Sequence, residues 1–217
     1  GAGATGADTY VARSDDGEVT LKPAEGAEFE GASLPAGWTS APWSAGGAAS
    51  VSGGRLHVDG ASAGTTATYG TSRSLEFSAT FAAAPFQTIG FATDLNAPPW
   101  AIFSTKADGQ LYARTDNGSV SAETPLSASL LGSSHRYRIE WDPGEVRFYV
   151  DGGLVATHAV GFAQQMRPLA SDFNPGGDEL GIDWLRMGPY PASGSFDSRV
   201  LDAGENAAWG ALAWDAD

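Results

Sequence analysis

The chain has 217 residues, a formal net charge of −14 and no cysteine. So acidic a surface repels phosphates, which disfavours nucleic acid as a partner, and the missing thiols exclude disulfides, thiolate zinc sites and iron–sulfur clusters. Hydrophobic residues make up 42% of the chain and aromatic residues 11%, so we expect a folded core and not a disordered chain. No run of 18 apolar residues occurs, which argues against insertion into a membrane.

Residues 1–25 are interpreted as an N-terminal extension or as the first strands. The chain starts Gly-Ala-Gly-Ala-Thr-Gly-Ala and lacks both the charged and the long apolar region of a signal peptide. Lysine is rare, whereas aspartate, threonine, serine and glycine are frequent, a composition typical of exported bacterial proteins. We therefore expect a secreted or cell-surface protein.

Apolar and polar residues alternate through most of the following sequence, with hardly any helical periodicity. The clearest alternation covers residues 55–58, 75–81, 137–141 and 146–150. Asp-Gly and Asn-Gly pairs separate such segments and favour tight hairpin turns. The pattern predicts an antiparallel β-sandwich or barrel whose core contains Phe77, Phe81, Ile139, Trp141 and Phe148, and an apolar and a polar face on each strand fit two stacked sheets.

Residues 187–194 are rich in proline, glycine and serine, which indicates a linker. Residues 191–217 are interpreted as this linker followed by the start of another module, or by a strand folded back on the sandwich. We expect the chain to be a monomeric part of a larger multidomain protein.

Residues 135–155, with the sequence HRYRIEWDPGEVRFYVDGGLV, resemble the paired strands of the concanavalin A-like jelly-roll superfamily, best known from laminarinase and lichenase glycoside hydrolases. Residues 28–38, 52–58 and 180–186 resemble further strands of that superfamily in the same order. The resemblance covers about residues 26–190 and implies that this segment is an all-β, two-sheet antiparallel jelly-roll sandwich. In the hydrolases, a Glu-x-Asp-x-(x)-Glu strand supplies the nucleophile and the general acid.

The strand at the matching place in this chain is residues 100–106, and it contains no carboxylate. Catalysis by a retaining glycosidase needs two carboxyl groups, so we expect no enzymatic activity from this chain. His57, His135 and His158 lie far apart without the spacing of metal ligands, and we expect them to be solvated or hydrogen-bonded strand residues.

The same resemblance implies a structural calcium ion, held on the convex face by the carboxylate of Asp183 and the carbonyl of Gly54. Calcium accepts carboxylate and carbonyl oxygens in flexible numbers. The alternative is that Asp183 forms a hydrogen bond or a salt bridge to an arginine.

Five residues are predicted to bind a glycan on the concave face: Trp100, Tyr112, Arg114, Arg138 and Tyr149. Trp100 follows a proline-rich loop that can hold an indole over a cleft, and residues two apart in a strand share one face of the sheet. Sugars bind by stacking on aromatic rings and by pairing of their hydroxyls with polar side chains. The alternative is that the rings only cover the sheet while the arginines pair with Glu76, Glu140 or Glu145.

The sequence therefore predicts a non-catalytic carbohydrate-binding module that recognises polysaccharide or cell-wall glycan. A divergent glycoside hydrolase or polysaccharide lyase is the first alternative, and it requires two carboxylates facing one another in the cleft. A structural or adhesion domain without a small ligand is the second, and it predicts a flat face without exposed aromatic rings.

Overall fold

A computed structural model describes residues 4–12 and 17–197 of the chain. The described residues form β-strands and loops, and one 3-10 turn, Ala128–Leu130, is the helical structure among them. None of the helical structure in these ranges has the length and apolarity needed to cross a membrane.

The first layer is a seven-stranded antiparallel sheet. Its strands, in spatial order, are β13 (Ser121–Pro125), β12 (Leu111–Asp116), β11 (Trp100–Thr105), β10 (Gln87–Ala92), β17 (Arg167–Asp172), β8 (Ala61–Thr65) and β5 (Trp38–Pro42). The hairpin of β11 and β12 turns at Asp108-Gly109, where Gly109 has a φ of +74°. The Asp-Gly turn predicted from the sequence therefore has the left-handed backbone that glycine adopts readily.

The second layer is an eight-stranded antiparallel sheet. Its strands, in spatial order, are β16 (Gly153–His158), β15 (Val146–Val150), β14 (His135–Trp141), β9 (Arg73–Thr80), β18 (Leu180–Met187), β7 (Arg55–Asp59) and β6 (Ala48–Ser52), and β4 (Glu25–Ala27) also pairs with β18. The chain passes repeatedly between the two layers, so neighbours in a sheet come from distant parts of the sequence. The predicted all-β, two-sheet jelly-roll sandwich is confirmed.

Two short sheets at the chain ends lie outside these layers. In one, β1 (Ala4–Thr5) pairs with β19 (Phe196–Asp197), and in the other β2 (Thr9–Val11) pairs with β3 (Val19–Leu21). The predicted N-terminal extension, residues 1–25, contains β1, β2 and β3, and its residues 1–3 and 13–16 lie outside the described residues. Of the predicted C-terminal segment, residues 198–217 also lie outside the described residues.

The core fills the space between the two sheets and is rich in aromatic rings. Phe77, Phe81, Ile139, Trp141 and Phe148, all predicted to be core residues, have no solvent exposure. Alternating residues of each strand point inward, which places these rings in one apolar layer. This apolar layer holds the two sheets together, so the outer faces of the sheets are the surfaces available to bind a ligand.

Candidate functional site

The outer face of the seven-stranded sheet carries a cleft of about 400 Å³. Four short or branched side chains form its floor: Thr88 from β10, Ile102 and Ser104 from β11, and Ser171 from β17. Thr88 is the cross-strand partner of both Ser104 and Ser171, so these three hydroxyls form one row across three strands. Small residues along this row leave room for a ligand above the sheet.

Aromatic side chains stand at both ends of this floor. At one end lie Trp43, Phe86 and Phe173, here called the aromatic cluster, in which the ring centroid of Phe173 lies 5.8 Å from that of Trp43 and 6.1 Å from that of Phe86. At the other end the guanidinium of Arg114 lies 5.9 Å from the ring of Trp100. The cleft therefore offers two separate apolar surfaces joined by a polar floor.

Hydrogen bonds within the protein engage the polar atoms of the floor. Trp43 Nε1 donates to Ser171 Oγ at 2.8 Å, and Thr88 Oγ1 donates to Ser104 Oγ at 3.0 Å. Ser104 Oγ in turn donates to the carbonyl of Thr105 at 2.9 Å. The indole N–H of Trp43 and the hydroxyl protons of Thr88 and Ser104 are therefore used, whereas Ser171 accepts from Trp43 and can still donate its own hydroxyl proton to a ligand.

No carboxylate is among the described residues that line the cleft, and the charged group there is Arg114. Arg114 Nε donates to Glu123 at 2.7 Å, and Lys106 Nζ donates to the same carboxylate at 2.8 Å. These two cations, Lys106 foremost, hold the pKa of Glu123 below its usual range. Glu123 therefore stays ionised at neutral pH and cannot serve as a proton donor there.

Asp172 follows Ser171 directly but is buried on the other side of the strand, as alternation requires. Gln87 Nε2 donates to its carboxylate at 2.9 Å, and the backbone N–H of Asn174 donates at 3.0 Å. Burial raises the pKa of Asp172 because the charged form loses its hydration. This carboxyl group takes part in a structural network and does not face the cleft.

Three of the five predicted ligand-binding residues lie on this outer face. Trp100 and Arg114 line the cleft. Tyr112 lies on the same face of β12, two residues from Arg114, and its ring is 4.9 Å from Lys106 Nζ. Tyr112 is therefore next to the cleft but is not one of its lining residues.

The other two predicted residues, Arg138 and Tyr149, lie on the opposite sheet. They are cross-strand partners on β14 and β15, and the guanidinium of Arg138 lies 4.1 Å from the ring of Tyr149. Glu140 accepts a hydrogen bond from Tyr149 and forms ion pairs with Arg138 and Arg147. The prediction that all five residues share one face is wrong, because hairpin β14–β15 belongs to the other layer of the sandwich.

The aromatic cluster was missed by the sequence analysis. Trp43 follows β5, Phe86 precedes β10 and Phe173 follows β17, so all three lie just beyond strand ends that are distant in sequence. The signal available in the sequence was an aromatic residue placed outside the strand alternation at each of these positions. Only the strand order β10-β17-β8-β5 shows that the three positions meet.

The surroundings of Asp183 do not fit the expected calcium ion. Its Oδ1 lies 2.7 Å from Arg55 Nε and 2.6 Å from Arg55 Nη2, so a cation of the protein occupies the place beside this carboxylate. Ser78 and Ser134 donate to Oδ2 at 2.9 and 2.7 Å. Gly54 precedes Arg55 in the turn, and the residues described contain no group of three or more acidic or histidine side chains able to hold a metal ion. The alternative considered for Asp183, a salt bridge to an arginine, is what the structure contains.

Comparison with solved structures shows the same fold in proteins named for glycan chemistry. A β-glucanase of Bacillus licheniformis aligns at 16% identity with a TM-score of 0.56, over 75% of this chain and 96% of the other. A pseudo β-1,3-glucanase of Mycobacterium tuberculosis aligns at 13% identity with a TM-score of 0.57, over 82% and 99%. An endo-β-galactosidase of Clostridium perfringens aligns at 15% identity with a TM-score of 0.58, over 76% and 62%.

No family model and no curated protein sequence matches this chain. The structural likeness nevertheless agrees with the resemblance found in the sequence: the chain has the concanavalin A-like jelly-roll fold of the β-glucanases. Both a hydrolase and a pseudo-glucanase have this fold, so it does not by itself assign an activity.

Proposed function

We propose that this chain is a non-catalytic carbohydrate-binding module of an exported, multidomain protein, and that its ligand is a neutral oligosaccharide or polysaccharide. The observation that carries the proposal is the cleft on the seven-stranded sheet, whose lining within the described ranges presents aromatic rings and a hydroxyl row but no carboxylate. Aromatic rings stack on the apolar faces of sugars, and a small-residue floor lets a ring approach the sheet. The names of the structural neighbours support a glycan as the ligand class.

Arg114 and Trp100 are proposed to bind the glycan together. Arg114 Nε is engaged by Glu123, which orients the guanidinium beside Trp100. In this orientation the guanidinium can donate to sugar hydroxyls while the indole contacts the sugar ring.

A divergent glycoside hydrolase is the second candidate, favoured by the fold of its neighbours. It needs two carboxyl groups on one face, about 5–5.5 Å apart for retention or about 6.5–9.5 Å apart for inversion. Asp116 and Glu123 are the carboxylates that the register of β12 and β13 places on the cleft side of the sheet, near Trp100 and Arg114. Glu123 is ionised, so it cannot be the general acid, and its oxygens are engaged by Lys106 and Arg114, whereas a nucleophile or base must have them available.

Calorimetric titration with neutral oligosaccharides tests the proposal. We expect Trp100→Ala to weaken binding by about 1–2 kcal/mol, because it removes one stacking surface. Arg114→Ala should also weaken binding, whereas Arg138→Ala should leave it unchanged, since Arg138 lies on the opposite sheet. Arg138→Ala is thus the matched control for Arg114→Ala.

The same preparations should release no reducing sugar from β-glucans. Hydrolysis at ordinary enzyme rates that is lost in Glu123→Gln or Asp116→Asn would establish the second candidate instead. Equal loss of binding in Arg138→Ala and Arg114→Ala would show that the cleft is not the binding site.

A further inference from the structure

We infer that the cleft recognises a glycan that carries an apolar substituent, such as an acyl or aryl group, and that the aromatic cluster of Trp43, Phe86 and Phe173 binds this substituent. The inference rests on the proposed function, because it assigns the sugar to the Trp100 end of the same cleft. Four properties of the cluster support the inference: its exposure, its backbone conformation, its hydrogen bonding and its position in the cleft.

Phe86 and Phe173 are exposed by 45% and 52%, an unusual degree for phenylalanine. Both line the cleft and touch each other, so their exposed surfaces are continuous. A phenylalanine ring has no polar atom with which to pair a sugar hydroxyl, unlike tyrosine or tryptophan. The cluster is therefore suited to an apolar group.

Phe86 and Leu95, which both line the cleft, also have unusual backbones, with φ of +65° and +66°. Residues with a side chain rarely adopt this left-handed conformation, whereas glycine adopts it freely. A bulky apolar side chain at each position is thus retained against a local conformational cost. At Phe86 this cost keeps a phenyl ring in the cluster, whereas Leu95 follows β10 and lies toward the Trp100 end of the cleft.

Polar groups near the cluster are engaged within the protein. Trp43 Nε1, the polar atom of the cluster, donates to Ser171 Oγ, and the Thr88 hydroxyl donates to Ser104. No charged side chain of the described part of the chain lines this end of the cleft, since Arg114 stands at the other end beside Trp100. A sugar hydroxyl buried against the rings of Phe86 and Phe173 would lose water without finding a polar partner on those rings, which costs free energy. An apolar group has no hydrogen bonds to water to lose, and it gains van der Waals contacts with the rings.

Trp100 and the cluster are too far apart to contact a single sugar ring. Ser171 lies two residues before Phe173. In the sheet register, Trp100 and Ser171 are separated by two strand spacings and by four residues along the strand, which corresponds to roughly 16 Å between their backbone positions. A ligand that touches both ends is therefore longer than one pyranose ring. The glycan portion occupies the floor from Trp100, and its substituent reaches the cluster.

The test compares a neutral oligosaccharide of two or three sugars with the same oligosaccharide carrying a p-nitrophenyl group at its reducing end. We expect the aryl derivative to bind about tenfold more tightly to the unmodified chain. Phe173→Ala and, independently, Phe86→Ala should abolish this gain, so that each variant binds the two ligands with equal affinity. Trp100→Ala should weaken both ligands by the same factor.

Phe196→Ala is the matched control, because Phe196 is exposed by 41% but lies outside the sandwich on β19. This variant should retain the full gain in affinity for the aryl derivative. Circular dichroism should confirm that Phe173→Ala and Phe86→Ala are folded. Because two variants are tested, the result does not depend on the correct folding of either one alone.

Equal affinity for the two ligands would overturn the inference and leave the proposed function standing. Binding of neither ligand would remove the proposed function as well. If size-exclusion chromatography shows a dimer that Phe173→Ala dissociates while the aryl gain persists, the cluster is an interface between copies of the chain, and the inference is wrong.

Discussion

At the scale of single residues, the three histidines show how one residue type is used in different surroundings. His57 pairs with Glu179, and His135 lies 2.8 Å from Asp151, both near the surface. His158 is instead 5% exposed. All three have hydrogen-bond or ion-pair partners within the protein.

His158 forms a polar link inside the sandwich. Its Nδ1 lies 2.8 Å from Thr115 Oγ1, its Nε2 lies 3.0 Å from Thr124 Oγ1, and its ring lies 5.2 Å from Phe148. Burial lowers the pKa of His158, because a charged imidazole would lose its hydration there. The neutral ring is therefore the form that stabilises the fold.

We predict that the stability of the protein falls with acidification because of His158. The folded-state pKa lies below the unfolded value of about 6.5, so the unfolded chain binds the proton first. The contribution of the neutral ring is complete above about pH 6.5 and is lost as the pH falls below that value, by at most about 1.4 kcal/mol per pH unit for one proton.

Urea unfolding of the unmodified chain and of His158→Gln between pH 7.5 and pH 5 measures this effect. Glutamine cannot titrate, so the difference in free energy of unfolding between the unmodified chain and the variant should shrink toward acidic pH. His135→Gln is the control at the surface. A difference that is independent of pH would contradict the prediction.

At the scale of secondary-structure elements, the bulge in β18 connects several strands through one carboxylate. The register of β18 with β9 shifts between Ile182 and Trp184, so Asp183 has no cross-strand partner on β9 and is only partly buried. Its ion pair with Arg55 and its hydrogen bonds from Ser78 and Ser134 join β7, β9, β18 and the segment before β14. The positive charge that neutralises the carboxylate of Asp183 is therefore the guanidinium of Arg55, a side chain of the same protein.

We predict that Asp183→Asn lowers the free energy of unfolding by about 1–2 kcal/mol, since both partners of this ion pair are partly exposed to water. The melting temperature of the unmodified chain should not change on addition of calcium or of a chelator. A bound calcium ion at a hundredfold excess over its Kd would add about 2.7 kcal/mol, an easily measured shift.

Arg138→Ala is again a suitable control, because the closest approach of Arg138 to Glu140 is 3.4 Å, which makes a weaker ion pair. It should lower the stability less than Asp183→Asn does. A calcium-dependent rise in melting temperature that disappears in Asp183→Asn would show that the expected metal site exists after all.

At the scale of the whole molecule, the charge of the surface and the charge of the cleft differ. The chain carries a formal net charge of −14, whereas the cleft is lined by uncharged residues and Arg114. The acidic surface acts on a ligand from a distance and is screened by salt, with a Debye length of about 8 Å at physiological ionic strength. The contacts inside the cleft are much less sensitive to salt.

We predict that neutral oligosaccharides bind with an affinity that hardly changes between 20 and 500 mM NaCl. A uronate-containing oligosaccharide of the same length should bind about three- to tenfold more weakly at low salt and approach the neutral ligand as salt rises. Titration of both ligands across the salt series measures this. Tighter binding of the anionic ligand at low salt would mean that Arg114 outweighs the surface charge.

The alternating segments and the turns between them were sufficient to predict the sandwich and its core. Alternation in β9, β14 and β15 determines which side chains are buried once a strand forms, so Phe77, Trp141 and Phe148 could be placed in the core from the sequence alone. The sheet to which each strand belongs is not contained in that local pattern. Arg138 and Tyr149 were therefore recognised as outward-facing, but were assigned to the wrong outer face.

The sequence by itself determined the fold class, the inward side of the principal strands and the absence of carboxylates from residues 100–106. These properties follow from short-range rules: side-chain alternation, turn residues and charge. The tertiary structure alone decided that Trp43, Phe86 and Phe173 meet at the end of the cleft opposite Trp100 and Arg114, and that Arg55 faces Asp183. Those contacts depend on strand order, which is set by the packing of the whole core between two sheets and brings together residues more than a hundred positions apart.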